Sequence, residues 1–497
     1  MDRTRIKEKT AIATRWSAVT EIIAKLITPL TTMALARLLT PDAFGVVASV
    51  TMIVSFAEML ADAGFQKYIV QHDFLSRKNF DEACTVAFWT TTVLASLMWI
   101  SIILFCDELA ELVGCPGQGL AIAVSGVSLL IASLGSLQTS RFKRDFDFKL
   151  LFSARLIYGL IPLFVSVPIA VVTHSFWSLI IGTICGNIIN VLYLSVRSTW
   201  RPRLFFSFSV LREMFSYSFW ILLESITLWL TTYIGVLLVG TFLSQYDLGL
   251  YKTSISTVEA VTAIVTSSTA GPLFSALSRL QNDERLLDIY YAYIRSISVF
   301  LVPLCMGMYL FADCFTFIFL GSQWLEASRF IGLLFLSSSF CLILGTYYNG
   351  LYNATGKTRL SFLSQIAYLM VLAPSLYFSA QHGFDELCIS HACARVSIVI
   401  IQSVLLGYAY RITPLRGIKA VAPAFIGSAA MIVYTCVLSQ IIDGIAYYIF
   451  GIAGSIIVYF LVASVCFKGL IASSLTMLGF GFIAKKLKLA DSDFDSF

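Results

Sequence analysis

Charged residues are scarce in this sequence of 497 residues. Asp, Glu, Lys and Arg together make up 13% of it, against ~25% in typical soluble domains. Hydrophobic residues make up 58%, and the mean hydropathy is +0.84. A soluble protein of this size would have too few polar side chains to cover its surface. These values exclude a soluble enzyme, a disordered chain and a fibrous protein, and they indicate a polytopic membrane protein.

Motifs for metal, redox and nucleotide chemistry are also missing. The eleven cysteines and four histidines are dispersed, and no CxxC, CxxxH or HExxH spacing occurs. The segment GLYNATGKT resembles a phosphate-binding loop, but five residues rather than four separate Gly350 from Gly356. We therefore predict no metal, cofactor or nucleotide. The net charge of +5 needs no nucleic-acid partner, because Lys and Arg accumulate in the cytoplasmic loops of membrane proteins.

Long apolar runs occupy nearly the whole chain. A helix that crosses a bilayer needs roughly 20 mostly apolar residues, and fourteen such stretches are present. They cover residues 12–37, 43–65, 82–105, 118–139, 150–172, 175–196, 213–240, 248–272, 290–312, 325–352, 358–380, 386–410, 418–440 and 445–467. The sequence therefore predicts an all-α polytopic membrane protein with 14 transmembrane helices.

The cations of the connecting loops predict the orientation of these spans. Lys and Arg cluster in alternate loops, around residues 3–9, 67–78, 141–149, 197–212, 279–285, 357–359, 411–419 and 468–488. The other loops carry acids such as Asp107, Glu111 and Asp313, with almost no cations. Because positive loops face the cytoplasm, both termini are predicted to be cytoplasmic. Two segments that mix cations with apolar residues, Gln66–Phe80 and Leu470–Leu489, are predicted to lie on the inner leaflet.

An internal repeat relates two halves of the chain. At an offset of 204 residues, seven of 39 positions from residue 16 to residue 54 are identical, and Gly45 aligns with Gly249. Spans 1 and 7 both start in the cytoplasm, so the halves are parallel repeats, as in several transporter folds. The predicted organisation is an N-terminal lobe at 1–204, a C-terminal lobe at 205–411, spans 13 and 14 at 412–469, and a cytoplasmic amphipathic tail at 470–497.

Several ionisable side chains fall inside the predicted spans. Each costs at least about 2.5–3.5 kcal/mol on insertion scales, so such residues usually face a bundle interior or water. Cations in a cavity suit a substrate that bears phosphate, whereas acids suit proton or sodium coupling. The candidate substrate-binding residues are Lys25, Glu21, Arg155, Arg295, Arg395 and Lys252. The candidate ion-coupling residues are Glu224 and Glu259.

A structural interpretation of these charges remains open. Glu21 and Lys25 stand one helical turn apart and can pair with each other. Arg155 and Arg295 lie near helix ends, where long side chains reach the membrane surface. Glu259 can form a salt link with a cation across the lobe interface.

Four segments resemble one family of bacterial exporters. They are RLLTPDAFGVVA from Arg37, ADAGFQKYIVQ from Ala61, RFKRDFDFKLLFSARL from Arg141 and NGLYNATGKTRL from Asn349. They are similar to Wzx-type flippases of the PST family in the MOP superfamily, particularly the branch of the colanic acid exporter. The resemblance covers roughly residues 10–470, and its most specific part is the turn from Arg37 to Gly45.

The resemblance implies a function. Family members are expected to have two six-helix lobes around a cavity and to flip undecaprenyl-pyrophosphate-linked oligosaccharide repeat units across the bacterial inner membrane. The similar lipid II flippases use spans 13 and 14 as a groove for the lipid tail. Cavity cations are expected to contact the pyrophosphate, and Lys25 is the best positional match. Membrane lipids and the glycan polymerase machinery are the expected partners, and no catalytic residue is expected.

Two alternatives are kept. The first is a multidrug or cation antiporter of the same superfamily, although such proteins usually have twelve spans. The second is a membrane-embedded glycan polymerase or ligase, although such enzymes tend to have a large outer loop with reactive residues. The longest outer loops of this chain are short, and they lack clusters of His, Arg or Glu.

Overall fold

The computed structural model describes residues 27–466 except 282, 284 and 412–414, and this part of the chain is helical with short connections. In chain order the helices are α1 (described over 27–38), α2 (Pro41–Asp62), α3 (Phe65–Gln71), α4 (Arg77–Leu104), α5 (Cys106–Leu112), α6 (Gly119–Ser125), α7 (Val127–Arg144), α8 (Phe148–Thr173), α9 (Trp177–Arg197), α10 (Phe208–Phe242), α11 (Gln245–Arg279), α12 (Leu286–Leu310), α13 (Ala312–Phe319), α14 (Ser328–Cys341), α15 (Tyr347–Ala354), α16 (Thr358–Ala380), α17 (Phe384–Tyr410), α18 (Leu415–Leu438) and α19 (Gly444–Cys466). A 3₁₀ segment, Ser322–Ala327, precedes α14, and a π-helical segment, Leu342–Thr346, joins α14 to α15.

The predicted polytopic all-α fold is confirmed. Within the described residues, 13 helical segments are long and apolar enough to cross a membrane, and they match predicted spans 2 to 14 one for one. The first predicted span, 12–37, is described only from residue 27, so the total of 14 spans stays a prediction. Membrane-spanning segments form helices because a backbone in hydrocarbon must satisfy its polar groups within the segment.

Side-chain caps begin three helices on the side predicted to be cytoplasmic. The Ser76 hydroxyl accepts a hydrogen bond from the backbone N–H of Asn79 at the start of α4. Asp147 does the same for Leu150 in α8, and Ser207 for Val210 in α10. Each cap satisfies one of the N–H groups that a helix start leaves without a partner. The sequence thus fixes where these helices begin.

Two helices are longer than a bilayer requires. Helices α10 and α11 have 35 residues each, which corresponds to about 52 Å at 1.5 Å per residue. The hydrocarbon core of a bilayer is only ~30 Å thick. Both helices must therefore tilt or extend beyond the hydrocarbon.

The predicted inner-leaflet segment Gln66–Phe80 differs from the structure. It is divided between the short helix α3 and the start of α4. The apolar side chains of Phe65, Tyr68 and Ile69 are at most 2% exposed, because α3 packs against α7 and α10. Protein rather than lipid covers this face of α3. The second predicted inner-leaflet segment, Leu470–Leu489, lies outside the described residues.

The chain forms two compact units. The first runs to Ser256 and includes Leu376–Phe384. Its main helix neighbours are α8 with α9, α4 with α7, α7 with α9 and α10 with α2. The second comprises Thr257–Ser375 and the chain from Asp385 onward, with α12 packed on α14 and α18, and α18 on α19. The predicted lobes at 1–204 and 205–411 describe a sequence repeat rather than contacts, and their limits stay a prediction.

Candidate functional site

Three of the predicted site residues lie in the first unit. Arg155 is exposed on α8. Lys252 on α11 places its ammonium group 5.2 Å from the centre of the Tyr233 ring. Glu224 on α10 forms an ion pair with Lys67 on α3 at 3.4 Å, and each side chain is 49% exposed. Glu21 and Lys25 lie outside the described residues.

A charged cluster in the first unit is not among the predicted site residues. Glu58 and Asp62 stand one turn apart on α2, and Asp62 interacts electrostatically with Lys143 at the end of α7. Lys143 is in turn an electrostatic neighbour of Arg155. One carboxylate oxygen of Asp62 is buried without a hydrogen-bond partner among the described residues. In the sequence analysis Lys143 belongs to a basic loop, because its approach to α2 becomes visible only when the helices pack together.

Polar side chains connect α3 to α10. The hydroxyl group of Tyr68 donates to Glu213 at 3.5 Å, and that of Tyr217 donates to Gln71 at 2.8 Å. Burial, followed by the charge of Glu213, raises the pKa of Tyr68 to about 12. Tyr68 is therefore a neutral donor at physiological pH. With the Lys67–Glu224 ion pair, these bonds hold α3 to the long helix α10.

Arg395 is held inside the second unit by neutral groups. Its guanidinium group donates to the Ser338 hydroxyl at 3.1 Å and to the Leu334 carbonyl at 3.5 Å. No carboxylate of the described chain forms an ion pair with it. His391, one turn earlier on α17, is 8% exposed and lies edge-on to the Phe330 ring. The positive charge of Arg395 is thus solvated but not neutralised.

Arg295 and Glu259 also belong to the second unit, and both are exposed. Among the described residues, neither side chain forms a hydrogen bond or ion pair. No such contact joins Arg295 to Arg395 either, so the second unit does not gather its predicted residues into one cluster. Their roles stay predictions.

An apolar groove in the second unit lies between the two last described helices and α12. It has a volume of about 460 Å³, and its walls come from α12, α13, α18 and α19. We call it the α12/α19 groove, and its lining includes Pro303, Gly307, Phe311, Met431, Ile456 and Phe460. The side chain of Tyr459 closes its base by donating to the Val299 carbonyl at 2.7 Å. Such a surface suits a hydrocarbon chain.

The segment that resembled a phosphate-binding loop has a structural role. The Lys357 ammonium group donates to the Ala409 carbonyl at 3.0 Å and lies 3.8 Å from the centre of the Tyr410 ring. Cations near a helix C-terminus satisfy its free carbonyl groups. Lys357 therefore caps α17. Within the described residues, no group of three or more His, Cys, Asp or Glu could hold a metal ion.

The paired glycines of the repeat meet in the first unit, at the ends of α2 and α11 predicted to face outward. A Cβ atom on Gly249 would collide with the Pro41 carbonyl oxygen, and one on Gly45 with the Gln245 carbonyl oxygen. The Gln245 amide donates to the Gly114 carbonyl at 2.5 Å. Glycine is needed at both positions because the backbones approach so closely.

Relatives with known names come from bacterial polysaccharide systems. The chain is 23% identical over 83% of its length to an uncharacterized membrane protein in the cps region of Klebsiella pneumoniae, and the match covers 84% of that protein. It is 24% identical to the succinoglycan biosynthesis transport protein ExoT of Rhizobium meliloti (strain 1021), over 63% of each chain. It is 20% identical to the lipopolysaccharide biosynthesis protein WzxC of Escherichia coli (strain K12), over 64% of this chain and 65% of that one.

Solved structures with the same fold are transporters. The lipid II flippase MurJ, in an inward closed conformation, superposes with a TM-score of 0.73 at 13% identity, over 92% of this chain and all of the other. A multidrug resistance MATE family transporter of the MOP superfamily, in an inward-facing conformation, gives a TM-score of 0.60 at 13% identity, over 81% and 98%. These likenesses establish the fold. The family model described as "polysaccharide biosynthesis protein" matches residues 34–329, more than half of the sequence, and the chain belongs to that family.

Proposed function

We propose that this protein is a transporter that flips undecaprenyl-pyrophosphate-linked oligosaccharide repeat units across the bacterial inner membrane by alternating access, for exopolysaccharide or lipopolysaccharide biosynthesis. Membership of the polysaccharide biosynthesis family supports the pathway. The printed role of a relative, succinoglycan biosynthesis transport, supports transport rather than catalysis.

The α12/α19 groove carries this proposal. A lipid-linked substrate has a polyisoprenyl tail that must stay in hydrocarbon while its sugar crosses the membrane. The groove offers that tail an apolar surface on α18 and α19, the two helices that correspond to predicted spans 13 and 14. Burial of apolar area gives about 25 cal/mol per Å², so a long tail gains substantial binding energy there. Among the described residues, no Asp or Glu lines this groove to pair with a cationic substrate, which disfavours the antiporter.

The remaining parts of the proposal concern charge. Among the described residues, Arg395 is the best candidate for a pyrophosphate contact, because neutral groups hold it and leave its charge available. Lys25, Glu21, Arg155, Arg295 and Lys252 stay candidates for substrate binding, and Glu224 and Glu259 stay candidates for proton or sodium coupling. Both termini are proposed to be cytoplasmic, and the glycan polymerase machinery is a proposed partner.

The test fills the α12/α19 groove from within. The nearest atom to a Cβ at Gly307 is Met431 Cε at 3.7 Å, an ordinary contact. The variant Gly307→Phe should therefore fold and project its ring into the groove. We expect flipping of lipid-linked oligosaccharide in proteoliposomes to fall at least tenfold, a loss of about 1.4 kcal/mol in transition-state stabilisation.

The control is Gly307→Ala, which adds one methyl group and should transport like the wild type. Full activity of a folded Gly307→Phe protein would contradict the role of the groove. Wild-type export of organic cations without flipping of the glycan lipid would instead favour the antiporter. A wild-type protein that polymerises glycan in vitro would favour the enzyme.

A further inference from the structure

A cleft rich in cations lies beside the segment that joins α9 to α10, on the side predicted to be cytoplasmic. It has a volume of about 620 Å³, and its walls come from the start of α4, the end of α7 and the segment after α9. All of these elements belong to the first unit. Five cations and two acids line it, and they are Arg77, Lys78, Arg141, Arg201, Arg203, Asp81 and Glu82. We call this site the basic cleft.

Both acids of the basic cleft already have a cationic partner. The Arg141 guanidinium group donates to Asp81 at 2.7 Å, and the Lys78 ammonium group lies 3.8 Å from Glu82. These two pairs cancel two positive and two negative charges. Three guanidinium groups remain, and they belong to Arg77, Arg201 and Arg203. The lining therefore keeps a net charge of +3.

The part of the wall around Arg141 is fixed by packing. The Arg141 side chain is only 8% exposed. Its guanidinium group lies 4.7 Å from the centre of the Phe80 ring and 5.3 Å from that of Trp200, and both of these aromatic side chains are buried. A site with a fixed wall loses less conformational freedom when a ligand binds.

The segment after α9 also has a defined shape. The Nη1 atom of Arg201 donates to the carbonyl groups of Ser198 and Trp200 at 2.6 and 2.9 Å. The Trp89 indole donates to the Arg203 carbonyl at 2.8 Å. The Arg203 side chain is exposed, and it makes no hydrogen bond or ion pair with the described part of the chain. The backbone is thus held in place, while donors of both arginines stay available to a ligand.

Arg77 adds the start of a long helix to the basic cleft. It is the first residue of α4, which has 28 residues. The N-terminus of a helix carries a partial positive charge that favours anions. The Arg77 side chain is exposed, and its guanidinium group has no hydrogen-bond or ion-pair partner among the described residues. The helix start and this guanidinium group therefore add to the same positive field.

The chemistry of the basic cleft indicates the class of its ligand. Planar guanidinium groups donate in pairs to the oxygens of a phosphate, and three of them suit a phosphate group better than a single carboxylate. The volume lies within the range of about 300–1,000 Å³ that is typical of small-molecule sites, and it is far larger than one phosphate ion. Thr199 and Phe205 also line the cleft, so it offers a hydroxyl group and an aromatic ring to an organic substituent.

We propose that the basic cleft binds an organic phosphate on the side predicted to be cytoplasmic. Its phosphate oxygens accept hydrogen bonds from Arg77, Arg201 and Arg203. Two sources present this group, the head group of an anionic phospholipid and a soluble phosphate ester. Basic pockets on the cytoplasmic side of membrane proteins favour anionic head groups in this way. The inference does not depend on the proposed transport function, because that function rests on the α12/α19 groove of the second unit.

The test measures binding of two probes by the full-length protein in nanodiscs. Phosphatidylglycerol, mixed with phosphatidylcholine, is measured by its retention on native mass spectrometry. Glycerol 3-phosphate, added to nanodiscs of phosphatidylcholine alone, is measured by titration calorimetry. The wild type should bind at least one probe, and the double variant Arg77→Gln with Arg203→Gln should weaken that binding about 25-fold, since each cation near an anionic lipid contributes about fivefold.

Two further variants show whether the basic cleft itself is responsible. The matched control, Arg359→Gln with Lys419→Gln, removes two exposed cations of the second unit and should change binding less than twofold. Arg77→Lys with Arg203→Lys keeps the charge but loses the paired donors, so its affinity should fall between those of the wild type and the Gln variant. All three variants change exposed side chains, so without a ligand they should unfold at the wild-type temperature.

The two probes also identify the source of the phosphate. Binding of glycerol 3-phosphate would support a soluble ester, and binding of phosphatidylglycerol alone would support a lipid head group. Failure of the wild type to bind either probe would overturn the proposal, as would an equal loss in the matched control. Full affinity in the Lys variant would attribute the binding to general positive charge and would overturn the guanidinium site.

Discussion

At the scale of single residues, the helices accommodate charge in two ways. The buried Arg141 has a partly buried carboxylate partner, Asp81, and two aromatic rings. Within the described residues, Arg395 has only a hydroxyl and a carbonyl group as partners. The first arrangement neutralises the cation, and the second retains its charge for a ligand. An ion pair of the first kind therefore indicates structure, and an isolated cation of the second kind indicates binding.

Glu224 tests this distinction, because it was predicted for ion coupling and the structure pairs it with Lys67. Both side chains are half-exposed, so the pair itself contributes only about 0.2–1 kcal/mol. We expect Glu224→Gln to abolish the response of flipping to an imposed pH or sodium gradient, because coupling requires a carboxylate. The control Lys67→Gln removes the pair but keeps the acid, and it should keep the response. Equal loss in both variants, measured in proteoliposomes, would instead identify a salt link.

The sequence predicted single residues less well than it predicted spans. Apolar runs identify a helix locally, so each described span matches its prediction. The neighbours of a charged side chain depend on which helices pack together. Lys143 was counted among loop cations for that reason, although it interacts electrostatically with Asp62. The α12/α19 groove also depended on the family resemblance, because composition does not reveal that α12 faces α18 and α19.

At the scale of helices, the repeat predicted a relation between Gly45 and Gly249 but not their contact. The alignment placed both after the same turn, one in each half. The structure brings the two helix starts together, with the backbone of Pro41 against Gly249 and that of Gln245 against Gly45. A side chain at either position would separate α2 from α11. The glycines therefore belong to the packing of the repeat rather than to a flexible turn.

Alanine should destabilise the protein at Gly249 but not at a helical glycine that has open space around it. Gly249→Ala places a methyl group against backbone, which cannot move aside as a side chain can, and overpacking of this kind costs about 1–3 kcal/mol. Gly350→Ala in α15 meets no atom within 4 Å and should gain up to about 1 kcal/mol from helix propensity. Thermal unfolding in detergent should show a lower midpoint for the first variant and an equal or higher one for the second. Equal midpoints would refute the close contact.

At the scale of the whole molecule, the distribution of charge is the strongest link between sequence and function. Arg141 and Lys357, at or beside loops predicted to be cytoplasmic, both hold helix ends, the first through an ion pair with Asp81 and the second through the Ala409 carbonyl. Cations of the loops predicted to be cytoplasmic therefore also pack helix ends. The ends predicted to face outward carry acids and close glycine contacts instead. A flippase needs such an asymmetry, because it takes up its lipid-linked substrate on one side and releases it on the other.

The orientation itself is the last prediction. In a variant without native cysteines, exposed positions in opposite loops are replaced one at a time by Cys: Glu111 and Gln323, then Asp145 and Thr358. Because Lys and Arg flank only the second pair, a membrane-impermeant thiol reagent added to intact spheroplasts should label Glu111→Cys and Gln323→Cys alone. Asp145→Cys and Thr358→Cys should react only after permeabilisation. Labelling of Asp145→Cys from outside would reverse the orientation, and with it the side on which the substrate is taken up.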